Sequence, residues 1–265
     1  MDAGNRKIIN LLNGRFQVNF AKYKTSTLNR RIQRRVHLDG FADVEEYYRH
    51  LCSNLEEQKQ LFKYLLINVT QFFRDPEAFV ILQKRVYPKI VESLTSSEGV
   101  RAWVAGCSTG EEAYSVAITA AEFFDEEGLD LPVKIFGTDV NSDVLEIAER
   151  GVYSDSIVDH VSEDRLSKFF TKHLEGYEIC RRIRNMCVFP EHDIFSDTPL
   201  GKLDLISCRN LLIYLTPDAQ NEAFTAFYDA LKPRGFLFIG KSETVRSNTG
   251  MFKVDDYNHK IYSKK

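Results

Sequence analysis

The residues of this sequence best suited to chemistry are carboxylates, amides and guanidiniums that stand just past short apolar runs. The stretch Arg101–Ser115, RAWVAGCSTGEEAYS, carries the first of them, Glu111, directly after a small-residue turn from Gly106 to Gly110. Glycines there let a ligand approach the backbone, and the amides opening the following helix offer donors. The turn lacks a full G-x-G-x-x-G and has no lysine after its last glycine, which argues against a phosphate-gripping loop. Glu111 stands where a pyrophosphate would lie, and a carboxylate there suits hydroxyls or a ligand carrying positive charge. Asp139, 28 residues on at the end of VKIFGTD, suits ribose hydroxyls because a carboxylate accepts from both. Its competing reading is an N-cap for the next helix, a role that Asn141 or Ser142 fills as well. Polar residues close a third apolar run near His192-Asp193 and a fourth at Cys208-Arg209-Asn210. Asn68, Thr70 and Arg74, in LLINVTQFFRDPEAF, read by spacing alone as caps and a surface charge.

A strand, turn and helix must position these groups. Trp103–Ala105 suit a buried strand, and after Glu111 apolar residues recur with helical spacing at Ala113, Ala117, Ala120, Ala121 and Phe124. That is the first unit of a nucleotide-binding α/β sheet, whose ligands lie outside the carboxyl ends of the strands. The alternation continues with NSDVLEIAERG, a helix ended by Gly151, and a short helix VSEDRLSKFF. YEICRRIR with MCVF reads as a small strand pair, and MCVFPEHDIF, KLDLISC and LKPRGFLFIG as third, fourth and fifth strands. TPDAQNEAFTAFYDAL is a helix with Thr216 as cap and Pro217 first, and the tail adds at least one strand. Residues 1 to about 70 read as all-helical. There Leu28, Ile32 and Val36 share one helix face, while Arg30, Arg31, Arg34 and Arg35 spread over the opposite flank. This flank is either a solvated face or a docking surface for an acidic partner.

The bulk numbers narrow the classes. A chain of 265 residues with 43% hydrophobic content holds one large or two modest domains. Residues 1–74 carry 13 Lys and Arg against 7 Asp and Glu, and the rest 22 against 31, so a net −3 hides +6 and −9. Such a split argues for two modules with different partners. No apolar run approaches the roughly 18 residues of a membrane span, and nothing at the N-terminus signals export. Five scattered cysteines without C-x-x-C suggest reduced cytosolic thiols, and no metal motif occurs.

The glycine turn without phosphate machinery, Glu111 and the acidic strand ends resemble an S-adenosylmethionine-dependent methyltransferase. LLINVTQFFRDPEAF, WVAGCSTGEEAYS, FGTDVNSDVLEIAERGVY, LDLISCRNLLIYL and LKPRGFLFIGKSETV are similar to successive signatures of the CheR family, the bacterial chemoreceptor glutamate methyltransferases. The likeness runs from about Lys22 to the C-terminus. It implies an α/β fold: a doubly wound, Rossmann-like methyltransferase sheet with a small antiparallel β insertion, preceded by an all-α N-terminal domain. The implied divisions are a helical docking domain over 1–70, a linker and first catalytic helix over 71–98, and the methyltransferase domain over 99–265. The small subdomain falls at about 174–190; in some members it docks a receptor's C-terminal pentapeptide, though its sequence here is not diagnostic. The implied cofactor is S-adenosyl-L-methionine, leaving S-adenosyl-L-homocysteine, with no metal. Its contacts fall on Asn68, Thr70, Arg74, Gly106, Glu111, Asp139, Asp193 with Ile194, and Arg209 with Asn210. Arg74 would pair with the methionyl carboxylate or orient the incoming glutamate; Arg209, Asn210 and Tyr214 would position the acceptor, Tyr214 being equally a core aromatic. Ala113 replaces a proline of many stand-alone members, so the string resembles members fused to methylesterase or sensor domains.

The implied reaction is cytoplasmic methyl transfer to glutamates on the cytoplasmic helices of methyl-accepting chemotaxis receptors, captured by the Arg30–Arg35 helix. A glutamate side chain, with a pKa near 4.3, is already a nucleophile at neutral pH, so no general base is required. The rival readings are a non-catalytic module that binds the same cofactor and a nicotinamide dehydrogenase, the latter disfavoured by Glu111 and the missing third glycine. Nucleic acid is disfavoured as a partner because no aromatic-interleaved basic groove accompanies the basic helix, and no membrane insertion is expected.

Overall fold

The structure, a computed structural model, describes residues 2–94, 99–245 and 250–265. Residues 95–98, which end the expected linker segment, lie outside the described residues. The chain forms two compact units, residues 1–67 with 213–222, and residues 68–212 with 223–265.

The first unit is helical, as the periodicity predicts: α1 (Ala3–Phe16), α2 (Thr25–Leu38), α3 (Val44–Ser53) and α4 (Leu55–Leu65). Asp43 and Asn54 open α3 and α4 by accepting from the Glu46 and Glu57 amides, so each helix start is written in a capping residue. Leu28, Ile32 and Val36 of α2 are buried with Ile8, Leu12, Tyr47, Leu51 and Leu61. The unit differs from expectation at its boundary. It ends at Ile67 instead of residue 70, and it takes back residues 213–222. That return is a backbone matter: Tyr23 bridges Leu215 antiparallel, the Lys24 amide donates to the Tyr214 carbonyl at 2.8 Å, and the Thr216 amide to Lys22 at 2.8 Å. Pairing across such a sequence gap leaves no periodic trace.

The second unit opens with α5 (Pro76–Ile81) and α6 (Tyr87–Ser93). Then follow β1 (Val100–Ala105), α7 (Glu111–Glu126), β2 (Val133–Thr138), α8 (Ser142–Arg150), β3 (Val152–Tyr153), α9 (Glu163–Phe169), β4 (Phe170–His173), β5 (Gly176–Ile179), α10 (Arg181–Met186) and β6 (Cys187–Val188). The chain closes with β7 (Leu203–Cys208), α11 (Pro217–Ala230), β8 (Leu231–Ile239), β9 (Phe252–Asp256) and β10 (Ile261–Lys264). The main sheet runs β6-β2-β1-β7-β8-β10-β9. Its first five strands are parallel, β10 is antiparallel to β8, and β9 is antiparallel to β10. After β1 the chain moves to β2 on one side and later to β7 on the other, so the switch-point crevice opens above the carboxyl ends of β1 and β7. All six residues of β7 are buried, as befits a central parallel strand. Trp103 at the middle of β1 pairs with Phe136 and Ile206, and its indole N–H donates to the Thr138 hydroxyl at 2.9 Å.

The small antiparallel sheet is present, in the order β3-β5-β4, but it spans residues 152–179 and not 174–190. Of the expected strand pair, YEI lies in β5 of this small sheet, while CV of MCVF is strand elsewhere, where the third strand was expected. RRIRNM turns helical, with Ile183 buried and Arg182 paired to Asp125, and Cys187–Val188 joins the main sheet beside β2. The two residues of β3 carry too little alternation to be read in advance.

Candidate active site

Gly106 and Gly110 both adopt positive φ, at 69° and 93°, which L side chains disfavour. A Cβ at Gly106 would stand 2.9 Å from Leu211 Cδ2, and one at Gly110 2.7 Å from Ala148 Cβ. The turn between them is tied to β2. The Cys107 amide donates to the Thr138 carbonyl at 2.9 Å, and the Ser108 amide to Asp139 Oδ2 at 3.0 Å. Asp139 Oδ1 accepts from the Asn141 amide at 3.1 Å, while Asn141 itself caps α8 by accepting from Asp143. The competing reading of Asp139 as that helix's cap is therefore taken by Asn141, and Asp139 faces the turn. Glu111 accepts from the Thr109 hydroxyl at 2.6 Å. Burial pushes both carboxyls above their usual range. Neither is paired with a cation among the described residues. The buried Cys107 thiol is likewise pushed far up, by burial first and then by Asp139, Glu112 and Glu111.

A second wall is the segment from Asn68 to Asp75. Asn68 and Thr70 are half-buried, and the aromatic pair that follows anchors them. The Phe72 ring meets Tyr153 at 4.8 Å and Phe170 at 5.4 Å, and the Tyr153 hydroxyl donates to the Thr109 carbonyl at 2.7 Å. Arg74 is partly exposed, with one long bond of 3.4 Å from its guanidinium to the Val69 carbonyl.

Arg209 is different. Its side chain is 1% exposed, and its guanidinium meets Asp75 Oδ2 at 2.7 Å, the Arg74 carbonyl at 2.8 Å and Glu112 Oε2 at 3.3 Å. It also packs over the Phe79 and Phe238 rings, at 5.4 and 4.6 Å. Expected as a substrate-positioning group, Arg209 has its charge engaged by two carboxylates inside the protein. Asn210 lies at φ 62°, a conformation asparagine tolerates, and its amide donates to Glu243 Oε2 at 3.0 Å; the Gly240 amide donates to the same oxygen at 2.6 Å. Asp193 closes its own turn, accepting from the Phe195 amide at 2.9 Å, with partly buried Ile194 inside that turn.

Tyr214 belongs to the helical unit, where its carbonyl accepts from Lys24. The basic helix α2 also departs from expectation. Arg35 grips Glu57 through Nε at 3.0 Å and a terminal nitrogen at 2.9 Å, and Tyr47 donates to the same carboxylate at 2.6 Å. Arg31 donates to the Tyr64 carbonyl and lies 4.2 Å over the Tyr64 ring. Two of the four arginines are thus braces onto α4, and the exposed ones are Arg30 and Arg34.

Glu112, Ser207 and Glu243 are site residues that were not among those expected. Glu112 accepts from the Ser207 hydroxyl at 2.7 Å, and Glu243 joins the ends of β7 and β8. The available signal was an acidic residue soon after each apolar strand, the rule that picked out Asp139.

The residues at the crevice fit a nucleoside bearing positive charge. The Ser108 hydroxyl is buried without a partner beside Asp139, the two glycines let the turn pack closely against Leu211 and Ala148, and two carboxylates lack counter-ions among the described residues. Among the described residues no group of three or more His, Cys, Asp or Glu is placed to hold a metal ion. Over residues 68–261 the sequence matches the CheR methyltransferase SAM binding domain, and over residues 5–66 the CheR methyltransferase all-alpha domain. An uncharacterized 104.1 kDa protein of Rhodobacter capsulatus is 36% identical over 256 residues, which make up 97% of this chain and 27% of that protein. The putative methyltransferase Cher3 of Pseudomonas putida is 31% identical over 248 residues, covering 91% of this chain and 88% of the relative. A chemotaxis protein methyltransferase of Listeria innocua is 31% identical over 223 residues, covering 84% and 83%.

Proposed function

Because the chain belongs to the CheR methyltransferase family, we propose that it methylates glutamate side chains on the cytoplasmic helices of chemotaxis receptors. Its S-adenosylmethionine-binding domain lies over residues 68–261. Bound there, S-adenosylmethionine supplies an electrophilic methyl group on a sulfonium. The observation that carries the reading is the pair of partly buried carboxylates, Asp139 and Glu111, flanking a glycine turn at the switch point. Asp139 accepts from ribose hydroxyls with the lone pairs that Ser108 and Asn141 leave free. Glu111 takes the ammonium of the methionyl end, and Arg74 takes its carboxylate or orients the acceptor. Asn68, Thr70, Asp193, Ile194 and Asn210 line the remainder.

The acceptor carboxylate is ionised at neutral pH and attacks unaided. The chain's own task is to hold oxygen, methyl and sulfur in line, which positioning of this kind supports with roughly 7–11 kcal/mol. Acidic receptor helices are captured by the exposed arginines of α2, Arg30 and Arg34, through long-range attraction. No helix among the described residues is long and apolar enough to cross a membrane.

The decisive experiment incubates the chain with tritiated-methyl S-adenosylmethionine and receptor membranes, then treats the product with base. Base-labile radioactive methanol is expected, because an ester hydrolyses where a methylated nitrogen does not. Cofactor binding without transfer to any receptor preparation would sink the catalytic reading in favour of a cofactor-sensing module.

A further inference from the structure

The backbone that carries Arg74 is bent against the preference of its own residues. Phe73 and Asp75, on either side of Arg74, both sit at positive φ, 47° and 58°. A bulky aromatic rarely adopts that region, and such conformations persist only where the surroundings over-determine them. The restraints are present on both sides. The Phe73 amide donates to Ser115 Oγ at 2.9 Å, and that hydroxyl donates to the Glu111 carbonyl at 2.6 Å. The Phe73 ring is held between Phe79, at 5.6 Å, and the Arg165 guanidinium, at 4.0 Å. On the other side Arg209 bonds the Arg74 carbonyl and the Asp75 carboxylate with one nitrogen, and rests its second nitrogen on Glu112. Glu112 is fixed in turn by Ser207 of β7. The Arg74 side chain, by contrast, has among the described residues one long bond, to Val69, to direct it.

We infer that Arg209, with Glu112 behind it, is a positioning residue that pins the strained Phe73–Asp75 turn and so fixes where the Arg74 guanidinium is delivered. The turn carries the Arg74 backbone, so where the turn is held sets where the charge can reach. A lysine at position 209 cannot do this, because one ammonium lacks the planar fork that reaches a carbonyl, Asp75 and Glu112 together. The inference rests on the reading of Arg74 as a group of the cofactor and acceptor site.

The test is a substitution series at Asp75 with a double-mutant cycle on Arg74. Asp75→Gly accepts φ 58° without penalty but deletes the anchor; Asp75→Asn keeps an acceptor and tolerates the left-handed backbone. Cofactor Kd by calorimetry, methyl-transfer turnover and thermal melting are measured for each. Pinning predicts that Asp75→Gly, although it melts lower for want of a partner to buried Arg209, stays folded at the assay temperature yet loses at least fivefold in Kd or turnover, while Asp75→Asn stays within twofold. In an Arg74→Ala background, Asp75→Gly should change either quantity by less than twofold. Equal losses in both backgrounds, or a fully active Asp75→Gly, overturn the inference. Arg209→Lys is taken through the same cycle where it folds, and the Asp75 series decides where it does not. A wild-type chain that transfers no methyl would remove the proposed function, and the Kd arm then decides the pin alone: no change in Kd overturns it.

Discussion

Asp139 and Glu111 do different work within one turn. Asp139 accepts two backbone amides, so it holds the turn's shape as well as facing the crevice. Asparagine in its place offers only one acceptor oxygen, leaving one amide without a bond, at a cost of about 1–3 kcal/mol. Asp139→Asn is therefore expected to weaken cofactor binding about tenfold or more, by titration calorimetry, and to lower the melting temperature in a thermal melt. Glu111 has one short bond and is otherwise a partly buried carboxylate, with its pKa raised chiefly by burial. The folded form binds its proton more tightly than the unfolded form, so its contribution to stability is complete below the unfolded pKa of about 4.3. That contribution is lost as pH rises through the higher folded value. Glu111→Gln should therefore melt higher than wild type at neutral pH in the absence of cofactor, while losing cofactor affinity. In wild type the affinity for a cationic cofactor should rise with pH through the folded pKa and level off above it; an affinity independent of pH would remove Glu111 from the cofactor's charged end.

Helices α2 and α4 are joined by side chains that look alike in the sequence and differ in the fold. Although burial opposes it, the bonds from Arg35 and Tyr47 hold the Glu57 carboxyl below its usual range. Stability from this group is present above pH of about 4.3 and lost as pH falls through the depressed value. Arg35→Ala should cost about 1–3 kcal/mol by denaturant melts, whereas Arg34→Ala, on the exposed flank, should stay within about 0.5 kcal/mol. The apolar stripe Leu28-Ile32-Val36 was legible because burial follows the helical period, and Gly151 because a left-handed helix end favours glycine. Which arginines turn inward was not legible, since that depends on Glu57 and Tyr64 arriving from another helix. The same limit hid Arg209. Its position at the end of β7 follows from the apolar run, but its engagement by Asp75 and Glu112 requires three segments to meet.

At the scale of the molecule, strand alternation and acidic strand ends disclosed the doubly wound sheet and its crevice, because a parallel strand writes its burial as a continuous apolar run. The return of residues 213–222 to the helical unit and the two outer strands of the small sheet, β3 and β4, left no such mark. The charge division does have a measurable outcome. Capture of acidic receptor helices by Arg30 and Arg34 should make kcat/KM for receptor fall as salt rises, while cofactor Kd moves little. Reversing both to Glu should lower kcat/KM and flatten that dependence without moving the melting temperature; unchanged receptor kinetics would sink the assignment.

The buried thiol in the glycine turn gives the protein a label of its own. Cys52 is exposed and Cys180 half-exposed, while Cys107, Cys187 and Cys208 are sealed, with their thiols pushed up by burial. A thiol-directed dye meets thiolate only, so Cys107 should react no faster than the turn opens. Its labelling half-time then clocks the breathing of the donor crevice in the unaltered chain, and a ligand that occupies the crevice should slow the clock at Cys107 while leaving Cys52 untouched.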